Sequence, residues 1–443
     1  MPSRQLHFGL NTLSAGMHPA AWLTPEADPI GYIKPEQWLR LAQIAEKGAL
    51  DAIFLADEPG LNLSEDGTLP GPSFAALDPL ILLSSLAAVT THVGLAATIT
   101  TTYEEPYNVA RRVASLDHVS RGRAAWNVVT TVDASVAGNF GARPHAPREE
   151  RYERAGEFIE VVRALWDSWD EDAQIADKAT QRFTRPGAIR AINHRGKHFH
   201  VDGPPNVPRS PQGRPVVVQA GGSSPGIDLA ARYAEAVFVS AASLEDALAY
   251  TKELRRRTAA YGRPADAVRV LPGFSFVLGG TEEEARRRNA ELNEFAGERR
   301  RQWLAWQISV DPAELDWDKP LPDWLLTSKE PASGSQGARD IVLNLARRES
   351  LTLRQILDRV LTWHRLVIGS PEQIADAIEE WFVVGAVDGF NLMPDVNPFG
   401  IEAFVEHVVP ILRRRGLFRS QYEGVTLRDH LGLPHPERLA AVA

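Results

Sequence analysis

Residues 93–131 read VGLAATITTTYEEPYNVARRVASLDHVSRGRAAWNVVTT, and the texture changes twice along them. Val93–Ile99 is a short apolar run, the pattern of a buried strand. Pro106–Val119 has a helical period. Arg123–Val129 is again a strand. A strand, a helix and a strand in this order predict a parallel βαβ unit with a right-handed crossover.

The same alternation extends in both directions. Upstream, Leu6–Asn11 reads as a strand, and Pro35–Lys47 as a helix with Trp38, Leu41, Ile44 and Ala45 on one face, ended at Gly48. DAIFLA at 51–56 reads as a buried strand. A helix then opens at Asp78 with Pro79 at its first position, and Leu82, Leu86 and Val89 face inward. Downstream come a helix at 148–168, with Leu165 and Trp166 on its apolar side, and the strand PVVVQA at 215–220. A helix at 224–236, the strand VFVS at 237–240, a helix at 244–260, a strand at 268–278 and a helix at 282–300 follow. A helix at 351–361 leads into LVIGSPEQ, and a helix at 371–384 precedes the last strand, VDGFNLM at 387–393.

Eight strands with helices between them predict an α/β fold, a (β/α)8 TIM barrel, as a single domain over 1–443. Two irregular stretches, 170–214 and 300–350, read as large insertions placed to cover the barrel mouth. The second is expected to act as a lid, with Trp303, Trp306, Trp317 and Trp324 walling the pocket. The runner-up is a Rossmann-like sheet, but no G-x-G-x-x-G follows an early strand and no Walker sequence is present.

The net charge of -9 argues against nucleic acid and anionic membranes as partners. No apolar run is long enough to span a bilayer, and the first residues lack a signal-peptide core, so a cytoplasmic protein is expected. With no cysteine, disulfides, thiolate metal sites and a Cys nucleophile are excluded.

In a barrel of this kind, ligands sit where strands end, so polar residues at strand tips are the candidates. Asp57 closes the second strand. Thr98, Thr100, Thr101 and Thr102 lie around the tip of the third, and Asn127, Thr130 and Thr131 end the fourth. Ser223 and Ser224 follow the fifth in GGSSPG, where a Gly-rich turn and a helix N-terminus suit a phosphate. An ordinary N-cap explains Ser223 equally well. Asp57 reads either as a loop cap or as a carboxylate accepting from a heterocycle's N–H groups, and Thr98 and Asn127 suit a polar ring edge. His194, His198 and His200 in NHRGKHFHV have spacing that a metal ion could use, but a β-hairpin is the simpler reading, and no metal is expected. Glu104 and Glu105 are neighbours that point apart on an extended chain, a poor acid/base pair.

These stretches together resemble one family. DAIFLADEPG, the 101–131 stretch, NFG, ERYERAGEFIEVVRALWDSW, INHRGKHFHVDGP, PQGRPVVVQAGGSSPG, GSPEQIADAIEEWF, VDGFNLMP and VVPILRRRGLF run in order over nearly the whole chain. The chain is similar to the bacterial luciferase-like flavin monooxygenases, in the branch with nitrilotriacetate, dibenzothiophene sulfone and long-chain alkane monooxygenases. The resemblance implies a two-component enzyme. A separate NAD(P)H:flavin reductase would supply reduced FMN, O2 would add at the flavin C4a carbon, and the resulting peroxide would oxygenate a small organic substrate. It places flavin contacts on Asp57, Thr98, Tyr152 and Ser223, with a backbone contact at Ser224. Asn127 would line the flavin ring and Trp363 the substrate pocket. Relatives commonly carry His where this chain has Arg148, four residues before Tyr152. Arg reaches a phosphate bidentately but is no proton donor or acceptor near neutral pH. The resemblance also implies a homo-oligomer, a dimer or a tetramer.

The alternatives are a flavin-binding protein without catalysis, a deazaflavin-dependent hydride-transfer oxidoreductase, and a barrel hydrolase or aldolase using a metal or a Schiff-base lysine. The RYERA and NFG matches favour the FMN branch over the deazaflavin one. Substrate identity is not legible.

Overall fold

The computed structural model describes residues 4–437, apart from 62, 64, 65, 70, 73–75, 142–144, 329–335, 362 and 363. Strands and helices alternate as β1 (His7–Asn11), α1 (Pro35–Lys47), β2 (Ala52–Leu55), α2 (Pro79–Ala87), β3 (Gly94–Thr100), α3 (Pro106–Val119), β4 (Ala124–Val129) and α4 (Arg148–Trp166). Next come β5 (Val216–Ala220), α5 (Ser224–Tyr233), β6 (Ala236–Val239), α6 (Leu244–Ala260), β7 (Arg269–Leu278) and α7 (Glu282–Ala296). The chain continues through α8 (Arg299–Ile308), α9 (Asp323–Thr327), α10 (Gln336–Glu349), α11 (Leu353–Leu357), β8 (His364–Gly369), α12 (Pro371–Val383) and β9 (Gly389–Pro394).

Eight parallel strands close in the ring order β1-β2-β3-β4-β5-β6-β7-β9. Following the residue pairing once round the ring returns to β1 eight residues lower, the stagger of a (β/α)8 barrel. β8 is a further strand that the sequence reading did not count. β7 is ten residues long and β6 only four. β6 pairs with Arg269–Pro272, and β8 takes up the remaining edge at Phe274–Leu278. The backbone groups of the long strand are thereby satisfied.

The alternation of side chains sets two shells. Ala52, Phe54, Ala96, Ala125, Val218, Ala236 and Leu271 fill the barrel interior, closed from below by Leu427, Leu431 and Leu433. Ile53, Leu55, Leu95, Ile99, Trp126 and Val128 face outward against helices carrying Leu41, Leu83, Val113 and Phe158. Two glycines make room inside. A Cβ on Gly9 would lie 1.9 Å from Asn391 Oδ1, and one on Gly273 would lie 2.2 Å from His364 Nδ1.

Several expectations are corrected. The helix expected at 224–236 stops at Tyr233. The one expected at 282–300 is broken at Gly297, which has φ +50°. Val89 lies past the end of α2 and is half exposed. Within 300–350, α8 and α10 are regular helices that pack Leu304, Ala305, Ile308, Val342 and Leu343, with Leu353, Ile356 and Leu357 of α11, into one core. Trp303 and Trp317 pack against that core, whereas Trp306 and Trp324 are 53% and 51% exposed. The 170–214 stretch holds two hairpins, Gln174–Asp177 with Arg182–Thr184 and His194–Arg195 with His200–Val201. It joins the end of α4 to the start of β5, both at the end of the barrel away from the mouth. It packs along α4, where Glu157 accepts from the His198 and Phe199 N–H groups, and on α3, where Pro208 O lies 3.1 Å from His118 Nε2. It flanks the barrel, and its second hairpin reaches the rim, where His194 and Gly196 line a pocket with Tyr152 and Pro225. Among the described residues no helix is long and apolar enough to cross a membrane.

Candidate active site

The tips of β2 to β5 bring together the candidates read from the sequence. Thr98 and Asn127 are register partners on β3 and β4, two residues above the interior Ala96 and Ala125. Both are buried, and Asn127 Nδ2 donates to Thr98 Oγ1 at 2.9 Å. The amide is thereby oriented, and Asn127 Oδ1 is left buried without a protein partner. A buried acceptor in that state invites a donor from a ligand or water.

The threonine-rich tip resolves differently. Thr100 and Thr131 share a hydrogen bond of 2.8 Å, Thr131 N–H donates to Thr102 Oγ1, and Thr101 Oγ1 donates to Val129 O. These hydroxyls tie β3 to β4 and are already engaged.

Asp57 stands two residues beyond β2, half-buried. Burial raises its pKa to about 6, with the negative charges of Asp78, Glu104 and Glu58 adding to the effect. Such a carboxylate gains from N–H donors supplied by a ligand.

At the tip of β5, Ser223 is the N-cap of α5, its Oγ accepting from Gly226 N–H at 3.3 Å. The same Oγ lies 3.4 Å from Tyr152 OH, which links the first turns of α4 and α5. Two helix N-termini, each a partial positive charge, thus converge. A Cβ on Gly222 would meet nothing within 4 Å, so the turn before the cap is open. Ser224 turns its hydroxyl and carbonyl toward α6, where Arg257 donates to them at 3.1 and 2.8 Å. Arg148 opens α4 half-buried, and its charge, together with the larger effect of burial, lowers the pKa of nearby Arg151.

The other half of the mouth, from β6 round to β1, carries groups the sequence reading missed. His364 on β8 is 4% exposed, stacks on Phe238 with ring centroids 5.1 Å apart, and lies over Gly273. Its Nδ1 has no partner, and burial pushes its pKa down to about 3. Ser275 Oγ and Asn11 Oδ1 are likewise buried and unpartnered. His18 contrasts with these: its Nε2 lies 3.2 Å from Asn293 Oδ1, and its Nδ1 accepts from Ala20 N–H. The available signal was a polar residue opening an apolar strand, HRLVIG, but that strand was not counted. Trp363 lies outside the described residues. On the outer hairpin, His194 Nε2 sits 3.0 Å from Glu157 Oε1, and among the described residues no group of three or more His, Asp or Glu could hold a metal ion.

The donor set fits a flavin mononucleotide. A carboxylate and an unpartnered amide oxygen suit a ring edge bearing N–H groups, and the Ser223–Tyr152 junction suits a phosphate.

The luciferase-like monooxygenase family profile matches residues 8–388. The chain is 42% identical to nitrilotriacetate monooxygenase component A of Aminobacter aminovorans, over 99% of both chains. The structure of the EDTA monooxygenase from Chelativorans sp. BNC1 aligns with a TM-score of 0.81 at 35% identity, covering 98% of this chain and 99% of that one. A riboflavin lyase solved with modified FMN and riboflavin aligns with a TM-score of 0.83 at 34% identity, covering 97% and 96%.

Proposed function

This chain belongs to the luciferase-like monooxygenase family, and we propose that it oxygenates a small organic substrate with reduced FMN and O2, the FMN coming from a separate NAD(P)H:flavin reductase. The enzyme is a monooxygenase. The observation that carries the FMN reading is the unpartnered Asn127 Oδ1, fixed by Thr98 one strand away from the Ser223–Tyr152 junction.

In this reading Asp57 accepts from ring N–H groups, and Thr98 orients Asn127 against the ring edge. The phosphate lies between Ser223, Tyr152, Arg148 and the Ser224 N–H. Reduced FMN supplies the electrons that activate O2, and the protein supplies orientation and exclusion of water. The substrate side is the β6-to-β1 half of the mouth, where Phe238, Leu13, Met17, Ile368 and Met393 form an apolar wall. A cavity of about 870 Å³ adjoins it between α7 and the 300–350 insertion, lined by Asn293, Arg300, Trp317, Arg354, Asp358 and Ile368. This placement supports the insertion as the lid. The homo-oligomer, dimer or tetramer, is part of the same proposal.

Calorimetry with anaerobically reduced FMN should show one site per chain. A reductase-coupled screen should then show the mass gain of a single oxygen atom in one substrate class. Aminopolycarboxylates come first, because nitrilotriacetate and EDTA monooxygenases are among the relatives. Intact protein that binds no reduced FMN, or binds only a reduced deazaflavin, would overturn the proposal.

A further inference from the structure

A second cavity, of about 310 Å³, lies at the opposite end of the barrel from the strand tips. Arg214 and Pro215 enter it just before β5, Glu235 just before β6, and Arg263 after α6. Arg163 reaches it from the end of α4, and Arg232 and Tyr233 from the end of α5. In a barrel that performs chemistry at its strand tips, this end is not used for catalysis.

Its charges do not balance. Glu235 is held bidentately by Arg428 at 2.7 and 2.9 Å. Arg232 pairs with Glu160 at 2.7 Å. Asp167 serves both Arg209 and Arg214, so one positive charge of that group is unmatched. Arg263 donates only to backbone carbonyls at the end of α5, Ala231 O at 2.8 Å and Ala234 O at 2.6 Å. The guanidinium of Arg163 has no hydrogen-bond or ion-pair partner among the described residues. Burial is the largest effect lowering the pKa of Arg163 and of Arg263; Arg214 lowers Arg163 further and Arg163 lowers Arg263, while Glu235 acts the other way on both and Asp167 on Arg163. The partial negative charges of the α4, α5 and α6 C-termini offset part of this excess.

Unmatched guanidiniums brought together in a concave, partly desolvated site repel one another unless an anion joins them. Arg presents paired N–H donors that match phosphate oxygens. The tyrosine hydroxyls here are already occupied: Tyr233 OH donates to Glu160 and Tyr261 OH to Asp228. Recognition therefore falls to the guanidiniums. In a chain of net charge -9, this local reversal of sign is directed at an anion. We propose that the cavity binds a multiply charged phosphate anion through Arg163, with Arg214 and Arg263 contributing field and remaining donors.

The test is calorimetry of the full chain with inorganic phosphate, pyrophosphate and ADP, at matched ionic strength against chloride. Pyrophosphate is expected to bind, and Arg163→Gln to weaken it at least tenfold while leaving reduced FMN binding unchanged. Ser223→Ala is expected to leave pyrophosphate binding unchanged, which separates this cavity from the flavin phosphate site. A free phosphate ligand predicts pyrophosphate above ADP, and a nucleotide ligand the reverse. The denaturation midpoint gives a second readout. Without anion, Arg163→Gln should be as stable as the parent or more so, because a repulsive charge is gone, and with saturating pyrophosphate the order should invert. Binding that survives Arg163→Gln, is abolished by Ser223→Ala, or is no stronger than that of chloride would overturn the inference.

Discussion

At the scale of single residues, the site is defined by which polar atoms lack a partner. Asp57 gives a pH test. Its pKa of about 6 in the free protein means that it is largely protonated below that pH and offers fewer acceptors to ring N–H groups. The affinity for reduced FMN should therefore fall by up to about tenfold per pH unit below pH 6 and level off above it. In Asp57→Asn the affinity should be lower and this slope absent. An unchanged slope, measured by anaerobic titration, would remove Asp57 from the ring edge. His364 gives a different contrast. Replacing a buried group that lacks partners with an apolar one is close to neutral for stability. His364→Phe should keep its urea midpoint, whereas oxygenation of the identified substrate should fall at least tenfold if the imidazole bonds that substrate. Of these residues, Asp57, Thr98, Asn127 and Ser223 were legible at strand tips. His364 was not, because a short strand beside an insertion carries no periodic signal of its own. The threonines at 100–102 and 131 looked equally promising in sequence, yet their hydroxyls serve one another.

At the scale of elements, packing depends on a few contacts. Trp126 on β4 is fully buried, meets Phe158 at 5.7 Å and Trp166 edge-on at 6.3 Å, and donates from Nε1 to Ile99 O. Trp126→Ala should destabilise the fold by about 3–5 kcal/mol, read as a lower denaturant midpoint with an unchanged slope. Gly273→Ala places a methyl 2.2 Å from His364 Nδ1, inside the barrel wall. About 1–3 kcal/mol of destabilisation is expected from overpacking, together with a displaced imidazole. If His364→Phe and Gly273→Ala left substrate turnover equally untouched, the β8 side of the mouth would have no part in it. The helix starts were readable because Asp78, Ser223 and Ser370 cap locally and Pro79 and Pro371 sit in first turns. The insertion's helices were hidden, since their apolar residues bury against one another and against Leu353, Ile356 and Leu357 of α11, outside the strand–helix alternation of the barrel.

At the scale of the whole molecule, three buried histidines set the acid limit. Burial lowers His18 and His430 to about 4 and His364 to about 3. Their pKa values are below the unfolded value, so the neutral forms are favoured by the fold. The stability they contribute is present above about pH 6.5 and is lost as the pH falls toward 4, because the unfolded chain takes up the protons. Each histidine contributes a slope of about 1.4 kcal/mol per pH unit in that window. The carboxyls of Asp57, Glu58, Asp117 and Asp395, each raised chiefly by burial, oppose this, and those of Glu46, Asp51, Glu157 and Asp429, which are lowered, reinforce it. Urea midpoints should therefore drop steeply between pH 6 and pH 4, and a flat profile would show that these rings are hydrated.

The sequence by itself determined the barrel, the order of its units and the family. Strand and helix periods, caps and turn residues are properties of neighbouring residues, and eight repeats of one pattern admit few closures. Only the tertiary structure decided which polar atoms remain unpartnered, where the two insertions lie, that β8 extends the wall, and that unmatched arginines gather at the far end. Each of those depends on residues far apart in the chain being brought together, such as Gly273 with His364, or Arg163 and Arg263 around one cavity. Local propensity does not encode such pairings; burial and long-range hydrogen bonding select them once the ring has closed.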